Sequence, residues 1–299
     1  MSEIPVYNEQ FGIMAAVTRQ KRQCKLGSYY SARTLEESPS RKAAGTKYAT
    51  VAHLTSHICI IIPVYNSENL IADVIKSVLQ CAENLIVVND GSTDATLDVL
   101  KKKSEITLVS YEKNRGKGYA LQQGFRKALE LGFTHAVTMD ADGQHLATDI
   151  ETLVQASEKQ PDAMIVGARK FDNPNMPQGN IFANNFSNFW FMVQTGKHLP
   201  DTQTGFRVYP LHKIGKMRIF TNRYEAELEI LVRSAWRNIP IVSQPINVYY
   251  PPQDERISHF RSGKDFFRIS VLNTVLCFLA VVYGYPRRLV HELHKLTRI

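Results

Sequence analysis

The stretch "HICIIIPVYN" (His57–Asn66) decides how the chain is read. Ile58, Cys59, Ile60, Ile61 and Ile62 form an unbroken apolar run that Pro63 ends. A short run without alternation predicts a strand buried on both faces, as in a parallel sheet. Residues just past the end of such a strand are where an open α/β sheet meets its ligand. The pentapeptide IPVYN also occurs at Ile4–Asn8, but there it follows a polar start with no apolar run before it. That copy is read as a chance echo.

Outward from Ile58, apolar runs predict strands at 58–63, 85–89, 106–110, 134–139 and 163–167. Amphipathic stretches predict helices at 69–82, 94–103, 116–131 and 148–158. Regular alternation of this kind predicts an α/β fold, a mostly parallel central sheet with helices on both faces. After residue 170 the rhythm breaks at "DNPNMPQGN" (Asp172–Asn180), and helices over 182–195 and 224–236 and a strand near 240–248 follow. Three parts are expected: a basic, poorly ordered extension (1–56), the α/β domain (57–251), and a basic and apolar helical segment (252–299).

Charge supports that division. Residues 58–251 hold 20 basic and 20 acidic side chains, while 1–57 and 252–299 hold 8 basic and 4 acidic each, so the whole excess lies in the ends. A nucleic-acid binder more often carries its charge across a folded face, and no nucleic-acid partner is expected. Basic ends flanking a neutral body suit an anionic membrane surface, with solvated tails as the plainer reading. "ISVLNTVLCFLAVVYGY" (Ile269–Tyr285) is apolar but interrupted by Asn273 and Thr274. It is short for a span, which needs about 20 apolar residues. Flanked by Arg268 and Arg287–Arg288, it fits either an interfacial helix or a core helix. Cys24, Cys59, Cys81 and Cys277 show no metal-ligand spacing, and no signal peptide pattern opens the chain. A cytoplasmic protein, peripheral to the inner face of a membrane, is expected.

Four stretches follow the predicted strands: "PVYN", "NDGSTD" (Asn89–Asp94), "NRGKG" (Asn114–Gly118) and "MDADGQH" (Met139–His145). Each has a plain reading as a turn or helix cap. Asp140 and Asp142, however, are alternate residues at a strand end and can share one cation. Hard oxygen ligands of this type favour Mg²⁺ or Mn²⁺, with substrate phosphates completing the shell. The two glycines and two cations of "NRGKG", at a helix start, suit a phosphate.

With "DTQTGFR" (Asp201–Arg207), these motifs in this order resemble a family 2 glycosyltransferase with the GT-A nucleotide-sugar-binding fold. "DADGQH" and "DTQTGFR" resemble the dolichyl- and polyprenyl-phosphate sugar synthase branch, and "ERISHFRSGKDF" (Glu255–Phe266) is shared with some of its bacterial relatives. The resemblance implies a UDP- or GDP-sugar donor, held by Pro63, Tyr65, Asn66, Glu68, Asp90, Arg115, Lys117 and Asp140. It implies Mg²⁺ or Mn²⁺ on Asp140, Asp142 and Gln144, with Asp142 and Arg207 as catalytic residues. An already anionic polyprenyl-phosphate acceptor needs cations rather than a base, which Arg207, Arg256, Arg261 and Lys264 could supply. A hydroxyl acceptor on a glycan or glycolipid needs a base instead, and Glu225, Glu227 and Glu229 are candidates, of which helical spacing turns at most one or two inward. A non-catalytic nucleotide-sugar-binding protein is the third reading, disfavoured by the intact D-x-D. There are departures: Ser67-Glu68-Asn69 stands where relatives read E-x-E-N, Lys117 where many have an apolar residue, and the Q-x-x-R-W signature of processive synthases is absent.

Overall fold

The computed structural model describes residues 57–170, 178–215, 217–250 and 262–297. Its centre is a seven-stranded sheet in the order β3-β2-β1-β4-β6-β5-β7. The strands are β1 (Ile58–Val64), β2 (Leu85–Asp90), β3 (Thr107–Tyr111), β4 (His135–Thr138), β5 (Met164–Arg169), β6 (Arg207–Pro210) and β7 (Ile241–Ile246). The helices between them are α1 (Ile71–Leu79), α2 (Thr96–Lys101), α3 (Lys117–Glu130), α4 (Asp149–Lys159), α5 (Gln178–Thr195), α6 (Leu211–Ile214) and α7 (Glu225–Trp236).

All seven residues of β1 are buried, as an apolar run without alternation requires. Cys59 and Ile61 pack into one apolar cluster with α3, α5 and α7, while Ile58, Ile60 and Ile62 pack into another with α1 and α4. The strand runs through Pro63 to Val64, one residue beyond the predicted end. Proline is tolerated there because β4 pairing ends at Ile61 with Thr138, and only β2 remains alongside.

The sheet is parallel except at β6, which runs antiparallel to both β4 and β5. Sequence reading missed this four-residue strand, because a run so short carries little period. The strand order reverses direction between β1 and β4, which places a crevice at their carboxyl ends.

The C-terminal segment forms α8 (Ser262–Leu279), a π-helical turn (Ala280–Gly284) and α9 (Tyr285–Leu296). Neither simple alternative, buried core helix or free amphipathic helix, describes it. One stripe docks: Asp265, Leu272, Asn273, Leu276 and Ala280 are buried. Asn273, an interruption of the apolar run, is the anchor, because its Oδ1 accepts from Gln194 Nε2 of α5 at 2.8 Å. Gly284 lies flat on the Trp236 indole, where an added Cβ would approach to 2.5 Å. The other faces expose Phe267, Val271, Val275, Phe278, Val281 and Val282.

Candidate active site

Three loops meet at the carboxyl ends of β1, β2 and β4. Past β1, Asn66 takes a left-handed backbone (φ 49°), which asparagine tolerates. Its Oδ1 accepts from Thr93 N at 2.8 Å, and its own N–H donates to Ser92 Oγ at 3.0 Å. Glu68 Oε2 accepts from Ala95 N at the start of α2, at 2.8 Å. The polar groups expected to hold the donor thus also stitch the β1 loop to the β2 loop. Pro63 is buried, and Tyr65 is half-buried at the strand end.

Asp90 departs further from expectation. Its Oδ1 accepts from Tyr111 Oη (2.9 Å) and Arg115 N (2.7 Å), and its Oδ2 from Asn114 Nδ2 (3.0 Å) and Gly116 N (2.8 Å). Both oxygens thereby pin "NRGKG" onto the end of β2. Burial raises the Asp90 pKa, against the hydrogen bonds that lower it. Gly116 has φ 100°, and a Cβ on Gly118 would lie 2.3 Å from that of Ala226. These glycines let the start of α3 press against residues 222–226, where Tyr119 N donates to Asn222 O at 3.0 Å. Arg115 is exposed, with its guanidinium 4.8 Å over the Tyr119 ring.

Lys117 turns the other way. Its Nζ lies 2.7 Å from Asp140 Oδ1 and 2.8 Å from Glu227 Oε2. Burial alone would lower its pKa, but the two carboxylates outweigh that and raise it. Burial likewise raises the Asp140 pKa, and Lys117 brings it below the usual carboxylate range. Asp142, with no cation of its own, is pushed up to about 6 by burial and by the Asp140 charge. Its Oδ1 accepts from Gln144 N at 3.0 Å, in a turn through Gly143. His145 is held down to about 4, chiefly by burial, and is neutral near pH 7.

Asp140 and Asp142 suit a hard divalent ion. Gly205 leaves a cradle beside them, since a Cβ there would lie 2.6 Å from Asp140 Oδ2 and 2.8 Å from Lys117 Nζ. Among the described residues no group of three His, Cys, Asp or Glu side chains forms a metal cage. A dication on this pair would take its remaining ligands from phosphate and water, as Mg²⁺ usually does. Gly205→Ala is expected to lower the melting temperature, because its methyl would push on both members of the Lys117–Asp140 ion pair. Displacing Asp140 is expected to lower activity about 10²-fold, the scale of a ~1 Å misplacement. Thermal unfolding and turnover on the same preparation check both.

Arg207 is a correction. It is fully buried on β6, and its Nε, Nη1 and Nη2 donate to Thr204 O (2.8 Å), Glu227 O (2.9 Å) and Thr202 O (2.9 Å). The guanidinium expected to face an acceptor phosphate instead braces the 202–205 turn against α7. Arg207→Met is expected to destabilise the fold by roughly 3–5 kcal/mol, since it strands buried carbonyls. Urea denaturation reads that loss, and an unchanged midpoint would return the residue to the acceptor.

Lys264 is exposed near the start of α8, and Arg256 and Arg261 lie outside the described residues. Glu225, Glu227 and Glu229 are all buried, not just one or two of them. Helix α7 is covered on every side, so each finds its own environment. Glu229 accepts from Phe220 N and Thr221 N and pairs with Arg233. Glu227 holds Lys117, while its Oε1 and Glu225 Oε2 have no hydrogen-bond partner. Sequence reading missed three features: the Lys117–Glu227 contact, Gly205, and Asp201, whose Oδ2 accepts from Arg169 Nε at 2.6 Å. The unusual lysine beside a D-x-D was the available signal, since a buried ammonium needs a second carboxylate.

A mostly parallel α/β sheet with an acidic pair at the strand beside its switch point is the GT-A architecture of glycosyltransferases. The chain belongs to the Glycosyl transferase family 2, whose family model matches residues 59–214. It is 31% identical over 216 residues to the UDP-N-acetylglucosamine--dolichyl-phosphate N-acetylglucosaminyltransferase of Methanococcus voltae, covering 64% of this chain and 86% of that protein. It is 26% identical over 243 residues to the dolichyl-phosphate beta-glucosyltransferase of Dictyostelium discoideum, covering 71% of this chain and 73% of that one. The fold is similar to the crystal structure of S. aureus TarS 1-349 in complex with UDP-GlcNAc, with TM-score 0.51 and 18% identity, over 73% of this chain and 66% of that one.

Proposed function

We propose that this glycosyltransferase moves a sugar, with inversion, from a UDP- or GDP-sugar to a polyprenyl phosphate at the inner face of a membrane. Residues 57–251 form the catalytic domain in this reading, and 252–299 meet the membrane. Asp140 and Asp142, with Gln144 alongside, hold Mg²⁺ or Mn²⁺, which supplies Lewis-acid stabilisation to the departing diphosphate. Pro63, Tyr65 and Arg115 flank the nucleotide, on a loop frame set by Asn66, Glu68 and Asp90. An acceptor phosphate oxygen attacks the anomeric carbon from the face opposite the leaving diphosphate. No base is needed, because that oxygen is already ionised. Lys264, Arg256 and Arg261 are the cations proposed to receive it.

The observation that carries the lipid acceptor is the exposed apolar surface of α8, where Phe267, Val271, Val275 and Phe278 face outward. A groove of about 610 Å³ lies between α7 and α8, lined by Glu225, Glu229, Trp236, Phe267, Leu272 and Leu276. The named relatives act on dolichyl phosphate, which supports the same reading.

A second reading, transfer to a glycan or glycolipid hydroxyl, is favoured by one feature. Glu227 brings a buried carboxylate oxygen without a partner next to the acidic pair, as a base would require. One assay separates the two. Purified protein is given a panel of UDP- and GDP-sugars with polyprenyl phosphate, and released diphosphate and lipid product are measured. The expected product is a sugar phosphodiester labile to mild acid. Polyprenyl phosphate left unmodified while a glycan hydroxyl takes the sugar would move the assignment to the second reading.

A further inference from the structure

The acidic site already contains a cation. Lys117 Nζ sits between Asp140 and Glu227, at 2.7 and 2.8 Å, against the same Asp140 carboxylate that a divalent ion would use. Glycine at position 205 leaves no side chain between them, and Arg207 lies behind, joined to the carbonyl of Glu227. Two carboxylates, Asp140 and Glu227, thus share one ammonium, and Asp142 beside them has no ion pair of its own among the described residues. Adding a dication alone would set two positive centres side by side on Asp140, which Coulomb repulsion opposes. A nucleoside diphosphate changes the balance, because its oxygens can accept from the ammonium and ligate the metal together.

We propose that Lys117 is the resident cation of this site, closing it to a divalent ion until a nucleoside diphosphate arrives and takes over the ammonium. Metal and nucleotide then bind as a pair, and Lys117 is the residue that couples them. This rests on the metal-dependent donor site proposed above and adds an order of assembly to it. Lys117 is a positioning residue here: it holds Asp140 in the empty site and passes to the phosphates in the filled one. The coupling also protects the enzyme from holding metal without substrate.

The test measures binding on the full chain, without turnover. Mn²⁺ affinity is read by electron paramagnetic resonance and by thermal shift, with Mn²⁺ alone and with UDP or GDP. Mn²⁺ bound to nucleotide in solution is subtracted. Wild type is expected to bind Mn²⁺ weakly alone and at least about tenfold more tightly with nucleotide, a coupling of ordinary size. Lys117→Met is expected to bind Mn²⁺ alone at least about tenfold more tightly than wild type and to lose most of that coupling. Its melting temperature should start lower, with two carboxylates unpaired, and recover on Mn²⁺ addition, as a ligand of the native state produces.

Lys117→Met binding Mn²⁺ no better than wild type would overturn the proposal. So would wild type binding Mn²⁺ equally well with and without nucleotide, a measurement that needs no variant to fold. That wild-type outcome counts against Lys117 only where UDP or GDP itself binds, seen as a thermal shift. If neither nucleotide shifts either protein, the donor reading fails and the Mn²⁺-alone comparison decides Lys117.

Discussion

Asp142→Ala is expected to abolish sugar transfer while leaving the fold at least as stable as wild type. The activity loss follows from the chemistry of the leaving group. A metal supplies several kcal/mol of charge stabilisation to a departing diphosphate. At about 1.4 kcal/mol per tenfold, forfeiting it lowers the rate by at least roughly 10³-fold. The stability half follows from the surroundings of Asp142. Its recorded hydrogen bond is from Gln144 N, and it faces the Asp140 charge in a half-buried position. Its folded pKa, about 6, lies above its ordinary value of 3.8, with burial the first cause and Asp140 the second. The native state therefore holds more protons than the unfolded chain between roughly pH 4 and 6, and stability falls as pH rises through that window. Above it, the ionised carboxylate is a liability that the alanine removes. Thermal unfolding at pH 7 and pH 4.5 reads this directly: the variant should lose the wild-type gain at the lower pH. Full turnover after exhaustive chelation, or a variant of ordinary activity, would sink the metal assignment.

Replacing Phe267, Phe278 and Val282 together by Ser is expected to release the protein from anionic vesicles. These side chains are 68%, 67% and 54% exposed, so the fold loses little when they go. Burying such a side chain in lipid contributes about 1.5–3 kcal/mol. Three of them account for roughly 10³-fold or more in partitioning. Wild type should sediment with the vesicles, more weakly in high salt but still measurably. A Debye length of roughly 3 Å at 1 M salt screens Arg268, Arg287 and Arg288 and leaves the apolar term in place. Wild type that binds vesicles at no ionic strength would remove the membrane from the proposal, as would a triple variant that sediments like the parent. On α8, Phe266 stacks 6.3 Å from Phe186 of α5, where Phe182 and Phe189 are also exposed.

Much of the fold was legible because its signals are local. The Ile58–Ile62 run, the β–α alternation and the turn residues after each strand depend on neighbours in sequence, and the predicted elements lie within a few residues of those observed. The missed strand, β6, is held by its partners on both sides rather than by its own pattern. The docking of α8 was missed for a related reason. Asn273 looked like a flaw in an apolar helix, and only Gln194, 79 residues earlier, turns it into an anchor.

The motifs named residues that meet at the strand ends, but not the contacts each side chain makes there. Asp90, Asn66 and Glu68 were read as facing a donor, yet their oxygens hold the loops that frame it. Arg207 was read as a phosphate ligand, yet three backbone carbonyls of a buried turn claim its guanidinium. Residue type and spacing alone determined an α/β fold with an acidic pair at a strand end, because strand period and turn chemistry are written along the chain. The order of the motifs carried the resemblance to family 2 glycosyltransferases. Which charges meet was decided by tertiary structure. Lys117, Asp140, Gly205 and Glu227 come from four separate elements, and only the close approach of α3, β4, the 202–205 turn and α7 sets one ammonium between two carboxylates. Electrostatic energy depends on distance through space, and a linear sequence does not contain that distance.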